Sequence, residues 1–280
     1  KSLACQGLVQ EGKRIDYDIF VVNTDGTGLK NVTPNEPFDQ EWPEWSPDGS
    51  RILFQSELDD GEWGGPDDIC TVTPDGKTLR NLTKTDEAYE FQAHWSPDGS
   101  HIAFVSTRET QDGDPFNHYD IFMMDKDGKN LRKVTNEGTI GAFNPAFSPD
   151  GTRIAYTQSR NDSNIATIKV DGTDRKLVAE LPGEDQWPEW SPDGQTIAFS
   201  HMRRNITFEM YTVPAQGGET ASMLEDSIDE RLPRFSPDGK TIVFQGIRDG
   251  DGLEDIFACD ADGQNLRRLT PYPEPAPPKG

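Results

Sequence analysis

The stretch Trp95-Ser96-Pro97-Asp98-Gly99-Ser100-His101-Ile102-Ala103-Phe104 decides the fold, because it recurs. Its core, W/F-S-P-D-G, stands at Trp45 to Gly49, Trp95 to Gly99, Phe147 to Gly151, Trp190 to Gly194 and Phe235 to Gly239, so successive copies are 50, 52, 43 and 45 residues apart. A fixed period of this length matches one four-stranded blade of a propeller. Each copy leads into an apolar run (Ile52-Leu53-Phe54, Ile102-Ala103-Phe104, Ile154-Ala155-Tyr156, Ile197-Ala198-Phe199, Ile242-Val243-Phe244), then a variable loop, then a second run such as Asp120-Ile121-Phe122-Met123-Met124. A short third run, as in Leu131-Arg132-Lys133-Val134-Thr135, closes the unit.

Pro-Asp-Gly between two β-rich runs is a tight turn: proline presets φ and glycine accepts a positive φ, so strands A and B are expected to form a hairpin. Asp-Gly at 25–26, 75–76, 127–128, 171–172 and 262–263 does the same between strands C and D. Asp125-Lys126-Asp127-Gly128 lacks the glycine and glutamate spacing of a calcium loop and reads as a turn.

Second runs occur six times (from Asp18, Asp68, Asp120, Asn164, Met210 and Asp255), whereas the turn motif occurs five times. The first repeat begins just past its turn, since Lys1-Ser2-Leu3-Ala4-Cys5-Gln6-Gly7 aligns with Lys240-Thr241-Ile242-Val243-Phe244-Gln245-Gly246. The expectation is an all-β, six-bladed β-propeller of four-stranded antiparallel blades, one domain over 1–280. Its blade units are roughly 1–33 plus 271–280, 39–83, 89–135, 141–178, 185–224 and 229–270. The N- and C-terminal segments close it, Tyr272 to Pro277 standing in for the missing strand A, although the prolines there make poor ladder partners.

Composition narrows function. Lys plus Arg number 27 against 50 for Asp plus Glu, and a net charge of −23 repels phosphate backbones, so nucleic acid is not expected as a partner. No apolar run approaches the roughly 18 residues of a spanning helix, and the start, Lys1-Ser2-Leu3-Ala4-Cys5, has neither the n-region nor the h-region of a signal peptide. A soluble monomer is the expectation. Cys5, Cys70 and Cys259 fall inside strand-like runs without C-x-x-C spacing and read as buried hydrophobes, with a Cys5–Cys259 disulfide left open.

Repeats of the form x-P-x-W-S-P-D-G-x-x-I-A-F, then D-I-F-x-x-D-x-D-G, then L-R-x-L-T, resemble the propeller domain of the TolB family over essentially the whole chain, without that family's helical N-terminal domain. The resemblance implies an extracytoplasmic, periplasmic or secreted, adaptor that binds proteins at the propeller's channel mouth. Propellers of this repeat also serve as accessory domains of serine peptidases and as lyases, so the alternative is a metal-dependent enzyme of lyase or hydrolase type with its site in the central channel. No G-x-S-x-G is present. His94, His101, His118 and His201 form no i, i+2 or i, i+4 pair, and read as packing or surface residues rather than ligands. No catalytic residue is assigned.

The residues ahead of each W/F-S-P-D-G should line the mouth. The partner-binding set expected there is Asp39, Glu41, Trp42, Tyr89, Glu90, Phe91, Asp185, Trp187, Asp229 and Glu230, joined by Trp63 from the long B–C loop; the other long B–C loop holds Phe116 and His118. Carboxylates beside large aromatics suit a protein or peptide partner with basic groups. No cofactor is required, although Asp39, Glu90, Asp185 and Asp229 offer oxygen ligands that Ca2+ in or near the channel would take. Arg108, Arg160, Arg203 and Arg248 share one repeat position and are expected to pair with Asp120, Asn164, Glu209 and Asp255 rather than ring an anion.

Overall fold

A computed structural model describes residues 1–11, 14–34, 39–57, 66–85, 88–109, 118–136, 141–159, 162–202, 207–224, 228–248 and 254–270. All regular elements among them are strands. They fall into two compact units, Lys1–Asn161 with Thr167–Arg175, and Asp162–Ala166 with Lys176–Gly280.

In the first unit, a three-stranded sheet runs β1 (Ser2–Glu11), β2 (Arg14–Asn23), β3 (Lys30–Asn31). Two four-stranded sheets follow: β4 (Gln40–Trp45), β5 (Ile52–Glu57), β6 (Asp67–Val72), β7 (Leu79–Asn81), and then β8 (Glu90–Trp95), β9 (His101–Ser106), β10 (Asp120–Asp125), β11 (Arg132–Lys133). Strands β12 (Gly141–Phe147) and β13 (Arg153–Ser159) pair in the same way, followed by β14 (Ser163–Lys169) and β15 (Lys176–Ala179). The second unit holds β16 (Glu184–Trp190), β17 (Thr196–Met202), β18 (Phe208–Pro214) and β19 (Ala221–Ser222) in spatial order, and a four-stranded sheet β20 (Ile228–Phe235), β21 (Thr241–Arg248), β22 (Glu254–Asp260), β23 (Arg267–Arg268). Antiparallel meanders with the A strand at one edge are the arrangement that the repeat predicts; β4, β8, β12 and β20 keep it, whereas β16 also pairs with β14, in parallel, at Ser163 and Glu184. The segment Tyr272 to Pro277 lies outside the described residues, as do Trp63, Phe116, Arg160 and Arg203.

The turn motif locks itself. Ser46 Oγ donates to Asp48 Oδ1 at 2.7 Å, that carboxylate accepts the Ser50 N–H at 2.9 Å, and Ser46 Oγ in turn accepts the Arg51 N–H at 3.0 Å. Gly49 closes the turn at φ +68°, a conformation in which a side chain is strained. Ser96/Asp98, Ser148/Asp150, Ser191/Asp193 and Ser236/Asp238 repeat the serine-to-aspartate bond at 2.6 to 2.7 Å. At the C–D turn, glycine is needed for room as well: a Cβ on Gly128 would lie 2.7 Å from the Leu82 carbonyl oxygen of the preceding repeat.

A second lock joins strands C and D. Thr135 Oγ1 accepts the Ile121 N–H at 2.8 Å and donates to Asp120 Oδ1 at 2.8 Å, while Lys133 Nζ holds Asp120 Oδ2 at 2.6 Å. Thr83 with Asp68 and Ile69, and Thr270 with Asp255 and Ile256, repeat the arrangement, with Asn81 and Arg268 in the place of Lys133. Between sheets lie apolar layers: Ile19, Ile52, Phe54 and Val72 in one, Leu53, Ile69, Phe104 and Phe122 in the next, and Met210, Ile242, Phe244, Phe257 and Cys259 in the second unit.

Two outcomes are expected. Hydrogen bonds from Ser46 and Ser50 hold the Asp48 carboxyl down to about 2, and those from Ser96 and Ser100 hold Asp98 down to about 2. A carboxylate lowered in the folded state stabilises above its unfolded pKa, near about 4, and loses that contribution as pH falls through the folded value. Thermal melts followed by circular dichroism should therefore show a melting temperature that drops progressively between about pH 4 and pH 2. Replacing Thr135 with valine leaves the buried Asp120 Oδ1 without its threonine donor and the Ile121 N–H without its threonine acceptor. Its urea midpoint should fall by the equivalent of about 2 kcal/mol or more, with Thr135→Ser close to wild type.

Candidate functional site

Every A strand described in full carries the same irregularity. Register breaks at Glu41/Glu44, Phe91/His94, Phe143/Ala146, Gln186/Glu189 and Arg231/Arg234, and inside each break one residue takes a left-handed backbone: Trp42, Gln92, Asn144, Trp187 and Leu232, all at φ +51° to +56°. Four of the five precede proline, which disfavours right-handed helical φ/ψ in the residue before it. A bulky residue in this region costs about 1–2 kcal/mol, and side chains offset the cost. Gln6 Oε1 accepts the Trp42 N–H at 2.9 Å, and Gln92 Oε1 accepts that of Asn144 at 2.8 Å. The bulge re-aims the residues around it, so the candidate site is built where the strand departs from ideality.

The carboxylates expected at the mouth are mostly drawn inward. Glu90 is fully buried and its Oε1 accepts from Ser106 Oγ and from the Arg108 guanidinium. Arg108 thus pairs with Glu90, not with Asp120, and lies over the rings of Phe104 and Phe122 at 5.6 and 5.2 Å. Asp185 is fully buried against His201, Oδ1 to Nδ1 2.7 Å, and accepts the Leu181 N–H at 3.3 Å; burial pushes its carboxyl up, against the pull of His201. Asp229 caps the Phe208 N–H at 2.9 Å and clamps Arg231 through both oxygens, while Glu230 takes the Met210 N–H at 2.5 Å. Asp39 Oδ1 caps the Tyr17 N–H at 2.8 Å, and Glu41 is half-buried. Asp39 and Asp229 thus do one job in two repeats, tying the start of an A strand to the C strand of the repeat before it. Among the described residues, no group of three or more His, Cys, Asp or Glu is placed to hold a metal ion.

The aromatics divide differently. Phe91 meets Tyr119 edge-on at 5.6 Å, and Tyr119 meets Phe143 at 4.8 Å, with Tyr89 half-buried beside them in sequence. Trp187 packs on Phe208 at 4.9 Å, and Arg231 covers that ring at 5.2 Å. Trp42 is 58% exposed. Tyr119 and Phe208 escaped the sequence reading, as did Tyr17, yet a signal existed: each stands immediately before an acidic residue of a C strand, Asp18, Asp120 or Glu209.

Of the histidines, His94 pairs with Glu44 at 2.7 Å and His101 approaches Asp125 at 3.6 Å, so these two, like His201, have carboxylate partners. All three cysteines are free thiols, Cys5 exposed and the other two buried; burial, with Glu230 and Asp260 adding to it, pushes the Cys259 thiol up to about 12.

Comparison with known proteins places these features. A structure assigned as TolB from Agrobacterium tumefaciens superposes with a TM-score of 0.69 over 90% of this chain and 88% of that one, at 22% identity. An oligogalacturonate lyase from Vibrio parahaemolyticus gives 0.66 over 91% and 71%, at 13% identity. The uncharacterized peptidase YuxL of Bacillus subtilis (strain 168) is 33% identical over 95 residues, a stretch that spans 31% of this chain and 14% of that relative. The model of the TolB beta propeller domain matches residues 102–274, over which the turn motif, the aspartate–threonine locks and the A-strand bulges recur, and the chain belongs to that family.

Proposed function

We propose that this chain is a non-enzymatic, TolB-like binding module that takes a protein or peptide bearing basic groups through the residues ahead of its W/F-S-P-D-G turns. It works as a monomer outside the cytoplasm and requires no cofactor. The observation that carries the reading is Trp42: a tryptophan that keeps 58% of its surface in water, on a backbone at φ +56°. An exposed aromatic on a strained, pinned bulge is already arranged for contact and loses little freedom on binding. Asp39 and Glu41 precede it. Family membership supports both the adaptor role and the extracytoplasmic setting. No helix among the described residues is long and apolar enough to cross a membrane.

The finer architecture belongs to the same proposal: six blades, the first completed by strands from both chain ends. Six recurrences of a B–C hairpin followed by a short D strand support the count. Deleting 271–280 is then expected to lower the melting temperature by several degrees, because an A-strand position is left bare; an unchanged melt overturns the closure.

The solved lyase supports a second reading, a metal-dependent enzyme. It requires turnover of oligogalacturonate or a peptide that a chelator abolishes, and the binding-module reading requires none.

With a partner isolated by pull-down, surface plasmon resonance separates the two contributions. Trp42→Ala should speed dissociation and cost about 2 kcal/mol or more. Asp39→Asn with Glu41→Gln should slow association and flatten its salt dependence. Normal binding by these variants, with binding lost on substitution among the Pro-Asp-Gly turns, would move the site to the opposite ends of the strands.

A further inference from the structure

Strands β1 and β2 pair over ten residues without a register break. Alternation along an unbroken ladder puts Ala4, Gln6 and Leu8 on one face with their cross-strand partners Val21, Ile19 and Tyr17, and Ile15 continues that face. The lower part of the face is covered: Ile19 is fully buried, and Ala4 and Val21 pack with it against Ile52, Phe54 and Val72. The upper part is uncovered, with Leu8 61%, Ile15 56% and Tyr17 37% exposed. Gln6 marks the border, and its bond to the Trp42 N–H fixes the exposed tryptophan two residues along the strand from Leu8. The bond from the Tyr17 N–H to Asp39 holds the hairpin to the start of the neighbouring A strand.

Three large apolar side chains on one face, with an exposed tryptophan tied by its backbone to the border of that face, exceed the scattered exposure normal for a protein surface. The sequence reading found only Trp42 among them. The face is continuous with the interface between the first two sheets, and its occupant has to supply the apolar contact that β4 to β6 supply lower down. A second copy is disfavoured, since each chain carries a net charge of −23. The same charge, with Asp39 at the patch, favours a cationic partner.

We propose that the exposed apolar face of β1 and β2, with Trp42 at its border, docks a segment of another protein in which apolar side chains are flanked by Lys or Arg. The proposal rests on the binding-module reading and names its surface and the chemistry of its partner. Leu8 and Tyr17 form the floor, Ile15 extends it, and Trp42 closes one side, the apolar contacts setting dissociation and the protein's charge setting encounter.

The test uses the full chain and a displayed library of random twelve-residue peptides, the retained peptides then being synthesised and titrated by fluorescence anisotropy. Retained peptides should combine large apolar residues with Lys or Arg. Leu8→Ser, Ile15→Ser and Trp42→Ala should each weaken Kd at least tenfold, while Leu8→Met and Leu131→Ser, an exposed leucine beside β11, bind as wild type and all variants melt normally. If the peptides bind Leu8→Ser and Ile15→Ser as tightly as wild type, this surface is wrong and the binding-module reading stands. If the wild-type chain retains no peptide above background, both fail. If sedimentation shows a wild-type dimer that Leu8→Ser separates, the occupant is a second copy and the proposal is overturned.

Discussion

A threonine hydroxyl that accepts one hydrogen bond and donates another holds the sheets of this protein to their pattern. Thr135 takes the N–H of Ile121 and gives its own proton to Asp120, so a buried carboxylate, a backbone donor and the end of strand D are satisfied together. The D strands need this help, because β11 has two residues and β7 three, too few for a ladder to specify register alone. Register matters, since a slip of one residue would turn the side chains of the D strand to the other face of the sheet. Where the pattern departs, the cost is visible: in the fourth repeat Asn164 replaces the aspartate, and its Oδ1 is buried with no hydrogen-bond partner among the described residues.

The same economy of local polar bonds explains how far the sequence could be read. Pro-Asp-Gly, the apolar runs and the Asp that opens strand C each act within a few residues, so the hairpins, their order and the C–D turns were legible from spacing alone. The A-strand bulge was not. Trp42-Pro43 and Trp187-Pro188 advertise a residue before proline, but the left-handed backbone at Gln92, which precedes alanine, follows from its place in the sheet. Side-chain direction was the larger loss. Glu90, Asp185 and Glu230 read as solvent-facing acids beside aromatics, yet each lies where an A strand meets its neighbours, and only the sheets reveal that Arg108, His201 and the Met210 N–H wait there.

That inward turn of the acids changes what they would contribute to the proposed recognition. A carboxylate buried against a guanidinium or an imidazole presents little field to a ligand at contact distance, and removing its partner would leave an unpaired charge inside the protein. The excess of acidic over basic residues still acts at longer range, where it biases which molecules arrive and how fast, and salt screens it over roughly 10 Å at 0.1 M. Close specificity then falls to groups that remain in water with their geometry fixed.

Trp42 meets that description better than Trp187, and the reason is mechanical. Both sit on equivalent bulges with nearly the same φ, 56° and 53°, so the backbone aims them alike. Their surroundings differ: Trp187 finds Phe208 at 4.9 Å, under Arg231, and spends its ring face on intramolecular packing. The residue that matches Phe208 in the first repeat is Tyr17, 37% exposed, its N–H held by Asp39 as that of Phe208 is held by Asp229. One backbone device, repeated, therefore yields a filled aromatic pair in one repeat and an exposed tryptophan in another, and the second is the one with ring surface left to give to another molecule.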